Sequence, residues 1–455
     1  MKTVLVAAPI LIKRCPLLGM GYLAAQLQDR GHEARVLDLN TEAEVPYPEV
    51  ERMWGSPAFV NDYAKKHPEL FEGMVDEILR SGPDLVGFTV WNCTAPCTLE
   101  LARRIRARGK FPRIVLGGPE AGFKAELLAG KDFVDALVVG EGEETFAEVV
   151  AAAARGASLR VPGARTREGW GGPRPELVNL DSLPFPDFSQ FRLDGYFMKG
   201  TLPVSFNRGC LRHCVFCNIY ESWRSYRHRK AEAIYNEIAW QMDRRSDLRH
   251  FEADCSALNL DLRELEGFCD RVLAGGRRFT WGGSAVFRPD MGEGLLRKMR
   301  AAGLERLDFG FESGSPKVLR LMRKGYLIEF AEENLRACRA AGIETILNVI
   351  VGFPGESEED YQHTKDFLLA NREFISKIGP PSELWIGNSN YLETHPEAFD
   401  IRLDPGGQGN LWESRDGKNH HMVRTARIAD FNRWLEDSGI ATATFKKAKA
   451  DHLAS

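Results

Sequence analysis

The chain has 455 residues, 44% of them hydrophobic, 27% charged and 10% aromatic, with a formal net charge of −4. These proportions suit roughly two to four folded domains and exclude a disordered, fibrous or membrane chain, and the near balance of charge offers little to nucleic acid or a membrane surface. Nine cysteines, an odd number spread over a long chain, argue against a disulfide-stapled secreted scaffold and for metal or catalytic use.

Met1–Pro9 is a short apolar run with one lysine, and Lys13 and Arg14 prevent its extension. It is too short for a signal peptide and reads as a buried first strand. No stretch approaches the ~18 apolar residues of a membrane span. The expected compartment is the reducing cytoplasm.

Residues 1–155 alternate short apolar runs with helical patterns, which predicts a doubly wound, Rossmann-like parallel sheet. Strands are expected at Thr3–Ala8, Ala34–Leu39, Leu85–Val90, Arg113–Leu116 and Ala136–Val139. Helices are expected at Leu17–Arg30, Glu69–Arg80, Thr98–Ala107 and Glu143–Ala154, and residues 41–68 as an inserted polar loop. Ligands of such sheets bind beyond the carboxyl ends of the strands. Those ends carry Cys15-Pro-Leu17-Leu-Gly19, Trp91-Asn92-Cys93, Gly117-Gly118-Pro119 and Gly140-Glu141-Gly142. Glycines there let backbone approach a ligand, and helix N-termini supply amide donors; tight strand-to-helix turns are the plain alternative.

Residues 156–200, rich in Arg, Gly and Pro, read as an interdomain linker. A second alternating series predicts a partial (β/α)6 TIM-type barrel over 201–390. Its strands are expected at Leu202–Phe206, His250–Ala253, Arg278–Trp281, Arg306–Phe311, Glu344–Val351 and Glu383–Ile386. Its helices are expected at Ala231–Asp243, Arg263–Ala274, Gly294–Ala302, Phe330–Ala341 and Glu359–Leu369. Residues 391–455 form a short cap, in which Ile428, Phe431, Trp434 and Leu435 recur at helical spacing.

Directly after the first barrel strand stands Cys210-Leu-Arg-His-Cys214-Val-Phe-Cys217. Three thiolates within eight residues can serve one small volume, and soft sulfur suits an iron–sulfur cluster, zinc or copper(I). A structural zinc site needs a fourth ligand, for which His213 or His228 is available; a [4Fe-4S] cluster with one open iron needs none.

This run resembles the cluster motif of the radical S-adenosylmethionine (SAM) superfamily, with Phe216 before the last cysteine. Asp308-Phe-Gly-Phe-Glu312-Ser313-Gly314 and Ile350-Val-Gly352-Phe-Pro-Gly-Glu356 resemble the family's strand-four and strand-five SAM motifs. Arg288 stands where relatives place an arginine on the SAM carboxylate, and Glu252-Ala253-Asp254 replaces the familiar Gly-Gly-Glu after strand two. The resemblance implies that Cys210, Cys214 and Cys217 bind [4Fe-4S]. It implies that Phe216, Asp254, Arg288, Glu312, Ser313, Ile350 and Gly352 contact SAM, which an electron cleaves to a 5′-deoxyadenosyl radical. Cys255 is a candidate hydrogen donor, whereas Cys269 and Cys338 fall on apolar helix faces as core residues. Cys15, Cys93 and Cys97 do not match the second cluster of the methylthiotransferases.

The N-terminal half resembles the cobalamin-binding domain fused ahead of such barrels. That likeness implies cobalamin contacts from Leu17, Gly19, Trp91, Asn92, Gly117, Gly118, Pro119, Gly140, Glu141 and Gly142. No Asp-x-His-x-x-Gly occurs, so no histidine is offered as lower axial ligand. The implied function is a cobalamin-dependent radical SAM methyltransferase. It passes a methyl group from SAM through methylcobalamin to an unactivated carbon, with a flavodoxin- or ferredoxin-type electron donor and a small-molecule or peptide substrate. A non-methylating radical enzyme (cyclisation, ring contraction or oxidation) uses the same motifs, and a redox-sensing metal protein is the alternative from another class. Tyr391, Trp412, His420 and His421 are candidates for a substrate pocket.

Overall fold

A computed structural model describes residues 1–9, 14–42, 54–405 and 407–443. The chain divides into two compact units, Met1–Pro203 and Val204–Ser455.

The first unit runs β1 (Lys2–Ala7), α1 (Leu18–Asp29), β2 (Glu33–Asp38), α2 (Leu39–Glu42), α3 (Pro57–Lys66), α4 (Pro68–Leu79), β3 (Leu85–Thr89), α5 (Ala95–Ala107), β4 (Arg113–Gly117), α6 (Pro119–Phe123), α7 (Ala125–Ala129), β5 (Ala136–Val138), α8 (Gly142–Ala154), β6 (Ala164–Thr166) and β7 (Gly169–Trp170). The sheet order is β2-β1-β3-β4-β5-β6-β7. The first five strands are parallel, and β6 joins β5 antiparallel. Strand order reverses beside β1, which opens a crevice at the carboxyl ends of β1 and β3. β1 is buried from Thr3 to Ala7 and apolar from Val4 on, as a strand covered on both faces requires.

Two segments differ from expectation. Within 41–68, Pro57–Lys66 is helical: Ser56 caps it by accepting from Phe59 N, and Pro57 opens its first turn. Its aromatics are core, with Trp54 buried and stacked on Phe71; residues 43–53 lie outside the described residues. Residues 156–200, expected to be a linker, are built into the first unit. β6 and β7 extend its sheet, and Leu180, Phe188 and Phe191 are buried.

The chain passes into the second unit within β8 (Thr201–Val204), followed by β9 (Asn207–Arg208), α9 (Ile219–Ser222), β10 (Arg227–His228), α10 (Ala231–Arg244), β11 (His250–Ala253), α11 (Leu262–Gly275), β12 (Thr280–Ala285), α12 (Glu293–Ala301), β13 (Leu304–Glu312), α13 (Pro316–Leu321), α14 (Ile328–Ala341), β14 (Glu344–Val351), α15 (Glu358–Ala370), β15 (Lys377–Ile378), β16 (Ser382–Glu383), α16 (Tyr391–Thr394), β17 (Ile401–Arg402), β18 (Glu413–Ser414) and α17 (His421–Asp437). The order β15-β14-β13-β12-β11-β8 is that of a partial barrel, with β16 also on β14. The sixth strand is thus two short pieces rather than one strand at Glu383–Ile386. Leu307, Phe309 and Phe311 of β13 are buried beneath the helices, while Arg306, Asp308 and Gly310 alternate with them on the concave face. In α17, Phe431 and Leu435 are buried and Ile428 and Trp434 half-buried, so the predicted stripe is its packing face.

Candidate functional site

The cysteine loop follows β9. Cys210, Cys214 and Cys217 are each half-buried, and none of the nine cysteines forms a disulfide. The loop holds itself: Cys217 N donates to Cys214 O at 3.0 Å, and Arg212 N to Cys210 Sγ at 3.4 Å. Burial pushes the Cys214 thiol up to about 11; Lys324 acts against that, and Cys217, Cys210 and Glu312 add to it. Burial likewise raises the Cys217 thiol. The three cysteines, Glu312 and Lys324 therefore share one electrostatic neighbourhood.

Neither histidine proposed for zinc joins the cysteines. His213 is exposed against Tyr220, with ring centroids 5.1 Å apart, and His228 Nε2 stands 3.6 Å from Asp261. Among the described residues, no three His, Cys, Asp or Glu side chains converge closely enough to hold a single ion. Three thiols close enough to interact electrostatically suit a multi-iron cluster, whose ligands sit on different irons. Two buried polar atoms are also left without a hydrogen-bond partner among the described residues: Asn218 Oδ1, next to Cys217, and Tyr226 Oη, within electrostatic reach of Cys210. Orphaned groups at the mouth of a barrel mark space for a polar ligand. The donor set and its surroundings fit a [4Fe-4S] cluster with SAM beside it.

The concave face of the barrel is polar. Arg306 Nη2 donates to both carboxylate oxygens of Glu252 at 2.8 and 2.9 Å, and Arg306 Nε to Asp308 at 2.7 Å. His250 Nε2 lies 3.5 Å from Glu252. Nearer the mouth, Asp254 follows β11; crowding of its carboxyl by surrounding protein raises it, Arg208 opposes that and Glu252 adds to it. Burial raises the Cys255 thiol well above its ordinary range, aided by Asp254 and Glu252, so Cys255 stays protonated.

At the end of β13, a bulge between Gly310 and Glu312 accompanies a left-handed Glu312, φ 66°. A non-glycine residue in that region is strained, and such strain concentrates at functional sites. Ser313 is fully buried, and its hydroxyl lies 3.2 Å from Thr364 Oγ1 and accepts from Ser315 N at 3.1 Å. Arg288 is committed to Asp290, with Nε–Oδ1 at 2.5 Å, and to the carbonyls of Asn259 and Leu260. Phe216 packs against Phe353, and Ile350 lines the same apolar cluster.

Gly352 ends β14 at φ 79°. Its N–H donates to Glu356 Oε2 at 2.7 Å, and its carbonyl accepts from Asn419 Nδ2 at 3.0 Å. A Cβ there would lie 2.6 Å from Arg424 Cγ. Burial pushes the Glu356 carboxyl up to about 7, opposed by the Gly352 N–H and Arg427. Arg424, fully buried, donates to Glu383 at 3.2 Å, Asn419 at 3.1 Å, and the carbonyls of Asn410 and Trp412 at 2.6 and 3.0 Å. The cap is therefore latched onto the β14 loop. Gly352→Ala is expected to cost about 1–3 kcal/mol from backbone strain and to weaken SAM binding. Thermal unfolding and equilibrium dialysis with SAM check this, and an unchanged Tm and Kd would refute it.

Of the pocket candidates, Trp412 is core, with Nε1 on Leu384 O at 3.0 Å. Tyr391 stacks on His395 at 4.1 Å, His421 Nδ1 lies 3.0 Å from Glu383, and His420 precedes α17. Lys324, Arg306, Arg424 and Tyr226 were not anticipated from sequence. Charged residues at Arg306 and Asp308 within an apolar strand were a usable signal; the other three had none.

In the first unit, Trp91 is 40% exposed at the end of β3, with Asn92 half-buried after it. Gly118 and Gly140 are exposed after β4 and β5, flanked by half-buried Gly117, Pro119, Glu141 and Gly142. Glu141 accepts from Leu177 N at 2.6 Å. Leu17 caps α1 and Gly19 lies in its first turn. Nothing stands within 4 Å of a Cβ built at Gly19 or Gly140. Open glycine backbone with an exposed indole on the carboxyl edge of a parallel sheet fits a broad planar group such as cobalamin.

A nucleotide-type crevice sheet and a three-cysteine partial barrel define the chain as a two-domain cofactor enzyme of the radical SAM class. Residues 204–368 match the family model of the radical SAM superfamily, and residues 13–150 that of the B12 binding domain. The chain belongs to the cobalamin-dependent radical SAM enzymes, whose cofactors are a [4Fe-4S] cluster, SAM and cobalamin. It is 25% identical over 362 residues to the uncharacterized methyltransferase PH0819 of Pyrococcus horikoshii, covering 77% of this chain and 72% of that protein. It is 26% identical over 402 residues to the cytidylyl-2-hydroxyethylphosphonate methyltransferase of Streptomyces wedmorensis, covering 77% and 72%. It is 26% identical over 317 residues to the anaerobic magnesium-protoporphyrin IX monomethyl ester cyclase of Rubrivivax gelatinosus, covering 65% and 56%. The fold resembles that of the radical SAM methyltransferase TsrM from Kitasatospora setae, solved with cobalamin and a [4Fe-4S] cluster (TM-score 0.67, 19% identity, 89% of this chain and 77% of that one). Among the described residues, no helix is long and apolar enough to cross a membrane.

Proposed function

We propose that the protein is a cobalamin-dependent radical SAM methyltransferase that methylates an unactivated carbon of a biosynthetic small molecule or peptide. The observation that carries this is a three-cysteine loop at the mouth of a polar-lined partial barrel, in a chain that also holds a B12 binding domain. In this reading Cys210, Cys214 and Cys217 hold the cluster. Glu312, Asp254, Arg288, Phe216, Ser313, Ile350 and Gly352 bound the SAM site, and the glycine edge with Trp91 receives cobalamin. The cluster supplies the electron that cleaves SAM, and cobalamin supplies a relay for its methyl group. The chain's own residues orient these groups and exclude water. The electron comes from an external donor of flavodoxin or ferredoxin type.

The likeness to a cyclase supports a second reading, a radical reaction without methyl transfer. The two differ in what becomes of SAM. Anaerobic protein loaded with both cofactors, SAM and a one-electron reductant is expected to release S-adenosylhomocysteine in a cobalamin-dependent way, together with 5′-deoxyadenosine. 5′-Deoxyadenosine without any S-adenosylhomocysteine would favour the second reading.

A further inference from the structure

The turn after α13 is tied to the cysteine loop at two points. Val215 N donates to Met322 O at 3.1 Å, and Arg212 Nη1 reaches Gly325 O. Between them Arg323 adopts φ 52° with its guanidinium 4.3 Å from the Tyr391 ring centroid, and Lys324 N donates to Leu319 O at 3.0 Å. The backbone is thus fixed on both sides of Lys324. Its side chain, 11% exposed, crosses the concave face over Gly310, where a Cβ would lie 2.7 Å from both Lys324 Nζ and Glu312 Oε1. Nζ donates to Glu312 Oε1 at 2.8 Å and stands 5.5 Å from the Phe216 ring centroid. A buried ammonium is costly unless negative charge compensates it. Glu312 supplies that charge, paired with Nζ in a site where both side chains are about one-tenth exposed.

We propose that Lys324 is a positioning and charge-compensating residue: it holds the strained Glu312 carboxylate in place for SAM and raises the reduction potential of the cluster carried by the cysteine loop. This rests on Cys210, Cys214 and Cys217 being the cluster ligands. One-electron reduction adds a negative charge to an assembly already made negative by its thiolates. A cation held beside it in a water-poor site stabilises the reduced form more than the oxidised one.

The test is an EPR-monitored redox titration of the full-length reconstituted protein, with SAM binding measured separately. Lys324→Met keeps the bulk and removes the charge. Its midpoint is expected to fall by at least about 59 mV, a tenfold change in a one-electron equilibrium, and its SAM Kd to rise about tenfold. Lys324→Arg keeps the charge and is expected to retain most of the wild-type potential. Iron content and circular dichroism confirm that each variant is loaded and folded. A loaded Lys324→Met protein with unchanged potential and SAM affinity overturns the proposal alone. A wild-type chain that assembles no [4Fe-4S] cluster overturns the ligand assignment with it.

Discussion

Cys214→Ala is expected to yield a protein that still takes up cobalamin but has lost the iron–sulfur absorbance and all reductive SAM cleavage. Cys214 stands in the centre of the loop, its thiol burdened by burial and relieved chiefly by Lys324. An alanine there removes one of the three proposed ligands, and His213 and His228 are engaged elsewhere, with Tyr220 and Asp261. The cobalamin edge belongs to a separate compact unit, so its ligand uptake is expected to survive. Iron and sulfide analysis, visible spectra and quantification of 5′-deoxyadenosine check this. Retention of a full cluster by the variant would contradict the ligand assignment.

The largest expected effect on stability comes from Arg229. It pairs with Glu237 at 2.6 Å, with side-chain exposures of 3% and 1%. Its backbone N–H donates to Phe206 O at 2.9 Å, so the pair fastens α10 to the end of the first barrel strand. Arg229→Ala takes the guanidinium away from the buried Glu237 carboxylate, and breaking a buried pair in this way costs about 3–5 kcal/mol. At about 2–4 °C per kcal/mol for a unit of this size, the Tm of the barrel falls by roughly 6–20 °C. The double variant Arg229→Met, Glu237→Leu removes both charges and is expected to recover most of the loss. Calorimetry of the wild type, the single and the double variant separates the two effects. Equal destabilisation in both variants would show that packing, not the unpaired charge, governs the site.

Features of short range were legible in the sequence. The short continuous apolar runs of β1 and β3 and the spacing of Cys210, Cys214 and Cys217 depend on neighbours along the chain, and a single pass finds them. The structure added what depends on distant partners. α3 was hidden because its aromatics, Phe59 and Tyr63, look like loop residues until Trp54 packs edge-on against both. β6 and β7 were hidden because strands of three and two residues in an Arg- and Gly-rich stretch carry no periodicity. Lys324 is an ordinary turn lysine until β13 brings Glu312 to it, and Arg424 an ordinary helix arginine until Gly352 and Glu383 close around it. Long-range pairing of charges sets the geometry at the mouth of the barrel, and no local pattern announces it.

Methyl transfer from SAM to cobalamin can be followed on this chain without knowledge of the substrate. Fully loaded protein is incubated anaerobically with methyl-deuterated SAM and a one-electron reductant, and the cobalamin is then recovered in the dark and weighed by mass spectrometry. The cobalamin is expected to carry a trideuterated methyl group, with S-adenosylhomocysteine formed in equal amount. Cobalamin recovered without label from protein that binds it and cleaves SAM would overturn the methyltransferase reading.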